Sequence, residues 1–265
     1  MARTPDGPPP EPAVQRLRVR YAKRGRLRFA SHRDFQRSLE RALRRAGVPM
    51  AYSAGFTPHP RISYANAAPT GAASEAEYLE IALTRRCDPG LVRAALDEAL
   101  PPGLDVVDVV ESHGGSLPDR LEGSVWQVEL PGVPPEEARR ALAEFLAADR
   151  VEVQRVFKTG PRSFDARGAV LRAEVLPGEV PPDGPESPSG PVPQGGTGPC
   201  AILRLVVRHT TPAVRPDDVL VALRSQASLA PPSPPRMTRL AQGPLDGADG
   251  AVADPLAPDR DVDGA

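Results

Sequence analysis

From Arg16 the chain alternates basic with apolar residues, setting Arg16, Arg18 and Arg20 against Leu17, Val19 and Tyr21. Basic residues then recur at helical spacing as Arg33, Arg37, Arg41 and Arg44. A period of two sends successive side chains to opposite faces of a strand, and a period near 3.6 gathers them on one side of a helix. The stretch therefore reads as a half-buried strand and an amphipathic helix, each with one arginine-rich face. Between Arg16 and Arg45 twelve basic residues stand against two acidic ones, Asp34 and Glu40; taking this +10 from the chain total of -1 leaves -11 for the rest. Basicity this local is the footprint of a binding site for a polyanion.

Only Lys23 and Lys158 of the 33 basic residues are lysine, and Ala, Pro and Gly are abundant. Codon drift in a GC-rich genome produces arginine in this way, but it does not produce periodicity. The spacing, rather than the count, carries the argument.

The expected fold class is α+β, with tandem ferredoxin-like (split βαβ) domains. Residues 1–13 read as a disordered, proline-rich leader. In the first domain, 14–112, Gly25 turns the arginine strand into a hairpin that resumes at Leu27 and Phe29. Ser31 and Asp34 then cap a helix whose apolar stripe is Phe35, Leu39, Ala42, Leu43 and Ala46, ended by Gly47. A strand near Ile62–Ala65, another over Glu77–Thr84, a helix from Pro89 to Leu100 and a strand from Leu104 to Val110 complete it. After a linker at 113–124 the same order restarts in a second domain, 125–230. Within it residues 177–199 hold 8 prolines and 6 glycines, too few apolar side chains to offset the entropy of ordering. Residues 231–265, rich in aspartate beyond Gln242, read as a disordered tail.

Cys87 and Cys200 stand 113 positions apart with no apolar leader before them, and no apolar run approaches the roughly 20 residues that span a bilayer. A soluble cytoplasmic protein without disulfides is expected, with no membrane partner.

The open face of the first sheet is the expected nucleic-acid surface, with RNA the favoured ligand. Arg18, Arg20, Lys23, Arg26 and Arg28 would contact phosphates, joined by Arg61 and Lys158, with Tyr78 or Phe56 stacking on bases. The opposing possibility is that Glu77, Tyr78 and Glu80 pair across the sheet with those arginines. Lys23 and Lys158 sit in similar Lys-x-Gly turns, each followed by a phenylalanine. His32 opens the helix, where the dipole favours a neutral ring, and His59 is held between Pro58 and Pro60, which fix its backbone. Both are candidate catalytic residues for acid–base cleavage of RNA, although no metal-ligand spacing is met and neither metal nor cofactor is expected.

Three segments carry a family resemblance: Ser31-His32-Arg33-Asp34; Tyr52-Ser53-Ala54-Gly55-Phe56-Thr57-Pro58-His59-Pro60-Arg61-Ile62-Ser63; and Ser74-Glu75-Ala76-Glu77-Tyr78. Over roughly residues 16 to 230 the chain resembles the radical-SAM-linked domain of unknown function, departing from the pattern at Arg33 and Ala54. The resemblance implies an accessory or substrate-presenting module working with a radical-SAM enzyme. Radical-SAM chemistry itself needs three closely spaced cysteines for its cluster, so another chain would perform it. The expected function is thus a nucleic-acid-binding accessory module. The alternatives are an adaptor for such an enzyme or, by fold analogy alone, a metal-independent endoribonuclease.

Overall fold

The computed structural model describes residues 10–177, 199–247 and 250–260. It is a mixed α+β chain in two compact units, one formed by the residues up to Arg120 together with those from Asp254, the other by Leu121–Ala253.

In the first unit β1 (Gln15–Lys23) leads through a 3₁₀ turn (Gly25–Phe29) to α1 (His32–Arg45). There follow β2 (Ile62–Ala65), β3 (Ala73–Leu83), α2 (Pro89–Ala99) and β4 (Leu104–Glu111). The strands lie in the order β4-β1-β3-β2, each antiparallel to its neighbour. The alternation of β1 sends Leu17, Val19 and Tyr21 into a core shared with Leu79, Ile81 and Leu83 of β3, and with Phe35, Leu39 and Leu43 of α1. Tyr21 stacks on Phe35 with ring centroids 4.4 Å apart. Each such side chain contributes about 1.5–3 kcal/mol on burial. A register shift between Tyr21 and Lys23 breaks the alternation, and Tyr21, Ala22 and Lys23 are all buried.

The expected hairpin is corrected: residues 25–29 form the 3₁₀ turn and not a returning strand. Both edges of β1 are occupied, by β3 and β4, so no edge remains for a hairpin partner. Gly25 at φ +53° turns the chain away, and Leu27 packs against the core instead. At the head of α1 the Ser31 side chain accepts a hydrogen bond from the Asp34 amide, and Gly47 at φ +64° ends the helix.

The second unit contains β5 (Gly123–Pro131), α3 (Pro135–Ala147), β6 (Glu152–Phe157), β7 (Gly160–Asp165) and β8 (Val170–Leu176). It continues with β9 (Cys200–Arg208), α4 (Pro216–Ala227), β10 (Arg236–Gly243), β11 (Leu245–Asp246) and β12 (Ala251–Val252). Its strands run β10-β5-β9-β8, antiparallel throughout, while β6 and β7 pair only as a separate hairpin and β11 with β12 as another. The segment 177–199, expected to be disordered, lies outside the described residues but for its two ends, as do residues 1–9 of the leader.

The described residues of 231–265 do not form a structureless tail. They supply β10, the strand beside β5, and then α5 (Ala257–Arg260), which returns to the first unit and packs on β4. Nor is 113–124 wholly a linker: Leu117 and Leu121 are buried, and β5 already begins at Gly123. No helix among the described residues is long and apolar enough to cross a membrane.

Candidate nucleic-acid interface

Arg18 does not project from an open sheet. Its side chain is completely buried, and all five guanidinium N–H groups are used. Nε donates to Glu80 at 3.2 Å, Nη1 to both carboxylate oxygens of Asp259 at 3.0 and 2.7 Å, and Nη2 to the carbonyls of Gly114 and Gly115 at 2.9 and 2.6 Å. Asp259, on α5, also accepts from Arg120 at 2.6 Å and from the His113 amide at 3.1 Å. Burial opposes ionisation of Asp259, but Arg120, the His113 amide and Arg18 outweigh it and hold the carboxyl below its ordinary range.

The neighbouring basic side chains are also engaged within the unit. Arg16 pairs with Glu80 at 2.9 Å, Arg20 donates to the Glu75 carbonyl at 3.0 Å, and Arg24 bridges Glu75 and Asp105. Arg260 of α5 bridges Asp108 and Asp254. Lys23 is buried with Nζ 3.5 Å from the Pro69 carbonyl; Tyr78 is buried, and Glu77, also buried, accepts from the Ala68 amide. The placement expected for Arg18, Lys23 and Tyr78 is therefore corrected. Charges needed to close this face come from Asp105, Asp254 and Asp259 as well as Glu75 and Glu80.

Other basic side chains of the unit take no part in this pairing. Arg26 is exposed on the 3₁₀ turn, and Arg28 lays its guanidinium 4.7 Å from the centre of the Phe29 ring. Spacings of four, four and three place Arg33, Arg37, Arg41 and Arg44 along one side of α1, all exposed. Arg61, at the foot of β2, is exposed as well. None of these seven forms an ion pair among the described residues, and three uncovered rings accompany them: Phe29 at 59 %, Phe56 at 71 % and Tyr52 at 39 % exposure.

Phe56 and Tyr52 belong to a closed loop beside α1. The Ser53 amide donates to the His59 carbonyl at 2.8 Å, the His59 amide returns a bond to Ser53 Oγ at 3.1 Å, and Tyr52 bridges to Pro60. Gly55 at φ +130° supplies the backbone conformation that the loop tip needs. Between this loop and α1 lies a crevice of about 180 Å³, with His59, Glu40 and Arg44 in its walls.

The chain belongs to the family described as an uncharacterized protein conserved in bacteria (DUF2344). The match covers residues 16–216. It takes in β1, α1, the Tyr52–Pro60 loop and the core of the second unit, and ends at the first residue of α4. No curated protein matches the chain.

Against the DUF2344 span the remaining sequence-derived residues sort as follows. His32 meets the edge of the Tyr64 ring at a centroid distance of 4.9 Å and lies 3.0 Å from Gln36 Nε2, whereas His59 lines the crevice, which His32 does not. Tyr64 has its hydroxyl pKa raised by burial and by the nearby Glu40 charge. Among the described residues no group of three or more His, Cys, Asp or Glu side chains is placed to hold a metal ion. Ser31 and Asp34 cap α1, while Pro58 and Pro60 line the crevice around His59. Lys158 is exposed at the β6–β7 turn, unlike buried Lys23, so the two lysines are not equivalent. Cys87 and Cys200 are free thiols. Glu40, Tyr52, Tyr64 and Asp259 went unremarked as site residues because each stands outside any local periodicity. For Asp259 one signal existed, the opposite charge of the tail and the opening strand.

Proposed function

We propose that this protein is a nucleic-acid-binding accessory module, with RNA its favoured ligand, and that each unit is a ferredoxin-like fold. Two strand orders support the fold reading: in both units the fourth, first, third and second strands of the split βαβ series lie side by side. The observation that carries the functional reading is the set of seven arginines without an ion pair among the described residues, six of them exposed and Arg28 partly so, accompanied by Phe29, Tyr52 and Phe56. Guanidinium groups that no carboxylate neutralises attract phosphates, and exposed rings beside them offer unstacked bases a surface. Accessible π-faces suit single-stranded segments, the form in which RNA is recognised by sequence-reading proteins. The interface so proposed is the outer side of α1 with its flanking turn and loop, and not the sheet face.

Binding of a fluorescent single-stranded RNA across a salt series tests this. Arg37→Ala combined with Arg41→Ala should lower affinity and reduce the slope of log K against log salt by about 1.4, two phosphate contacts at about 0.7 each. Arg140→Ala, an exposed site on α3, should do neither. Affinity indifferent to salt, or equal loss in the control, defeats the proposal. The radical-SAM partnership belongs to the same proposal and rests on the resemblance carried by the segments 31–34, 52–63 and 74–78. A defined enzyme should co-purify with the protein after nuclease treatment, and recovery of none would remove that part.

A further inference from the structure

The crevice beside α1 is small for a ligand site, since drug-sized pockets run to about 300–1,000 Å³, against the roughly 180 Å³ found here. It has room for one flat fragment. Leu43 and Met50, from α1 and the chain entering the loop, make an apolar floor, and Tyr52 presents a partly exposed ring at the mouth. Apolar floor and ring together suit the two faces of a heterocycle. The polar groups are Glu40, Arg44 and His59. Glu40 is half-buried, and its carboxylate has no hydrogen-bond partner among the described residues.

An ionised carboxylate only accepts hydrogen bonds, so whatever fills the crevice must turn donors toward Glu40. A phosphate or a carbonyl-rich edge placed there would be repelled. Among the RNA bases, adenine and cytosine each offer one amino group with an acceptor next to it, and uracil one imino N–H between two carbonyls. Guanine alone presents two adjacent donors, N1–H and the N2 amino group, spaced to meet both oxygens of one carboxylate. Arg44 stands one helical turn further along α1, where a cation complements the phosphate attached to such a base.

We infer that the α1–loop crevice receives a single unpaired guanine, with its Watson–Crick edge on Glu40 and its backbone phosphate at Arg44. The inference rests on the RNA-binding reading above and adds a base preference to it.

The test uses the full chain and four uridine hexamers: one all uridine, the others with one central guanosine, adenosine or cytidine. A bidentate contact is worth about 1–3 kcal/mol of discrimination, so the guanosine hexamer should bind about fivefold to about 150-fold tighter than the other three. Glu40→Gln should erase most of that preference, whatever it does to the affinity for RNA in general, and Arg44→Ala should weaken all four alike. Equal binding of the four hexamers by the natural protein, or a guanosine preference that survives Glu40→Gln, overturns the inference and leaves RNA binding standing. Failure of every hexamer to bind at low salt takes both away.

Discussion

Arg18 and Asp259 show how far a single pair of side chains redirects a charged surface. A buried guanidinium is tolerated only when its charge and all its donors are met, and here two carboxylates and two carbonyls meet them. Asp259→Ala leaves Arg18 short of two acceptors and Arg120 short of its buried partner, and should cost about 3–5 kcal/mol in urea unfolding. The pH dependence has a definite sign. The folded-state pKa of Asp259 is depressed, so its contribution is fully present above the ordinary carboxylate pKa of about 3.9 and is lost as pH falls through the lower folded value. The stability gap between the natural protein and Asp259→Ala should therefore stay level from neutral pH to about pH 5 and narrow below about pH 4; a gap that widens on acidification would contradict the assignment. Local sequence reading finds Arg18 as a basic strand residue but cannot find its partner, which stands 241 positions away.

Secondary structure was legible where one periodicity ran without interruption. The core stripe of α1, Phe35, Leu39, Ala42 and Leu43, is buried as the 3.6 spacing dictates, and Ser31 caps the helix as the Ser-x-x-Asp pattern requires. Removing that cap by Ser31→Ala should lower stability by about 1 kcal/mol. Hydrogen exchange should show faster exchange in the first turn of α1, with the β3 amides unaffected. Uniform acceleration across the unit would show instead that α1 does not open locally. β10 was not legible, for a physical reason. Its sequence, Arg236–Gly243, buries Arg239 and Gln242 beside Met237, so polar residues occupy inward positions and the period-two signal disappears; a proline-rich run precedes it. The 3₁₀ turn at 25–29 failed differently. Its alternation is genuine, but pairing is decided by which strand edges are free, and that information is not local. The candidate interface divides along the same line: the arginines of α1 were visible through their spacing, whereas Glu40 and Tyr52 acquire a role only once the loop folds against the helix.

At the level of the whole chain, the first unit is completed by residues that follow the second, because α5 returns after β12 to lie on β4. A chain ending at Ala253 lacks Asp254, Pro255, Asp259 and Arg260, and therefore loses the carboxylate that holds Arg18, two partners of Arg120 and the bridge to Asp108. The same substitution should then have different consequences in the two chains. In the full protein Arg18→Met leaves Asp259 buried with Arg120 as its sole cationic partner, a broken buried pair that costs about 3–5 kcal/mol. In the shortened protein there is no carboxylate to strand, and replacing a partly satisfied guanidinium by an apolar side chain of similar length should change stability by less than about 1 kcal/mol, or raise it. Urea unfolding of the four proteins measures the difference directly as a coupling free energy between residue 18 and the segment from Asp254. A coupling near zero would mean that the arginine is held by Glu80 and the Gly114 and Gly115 carbonyls alone, and that α5 is a passenger on the sheet rather than the part that closes it.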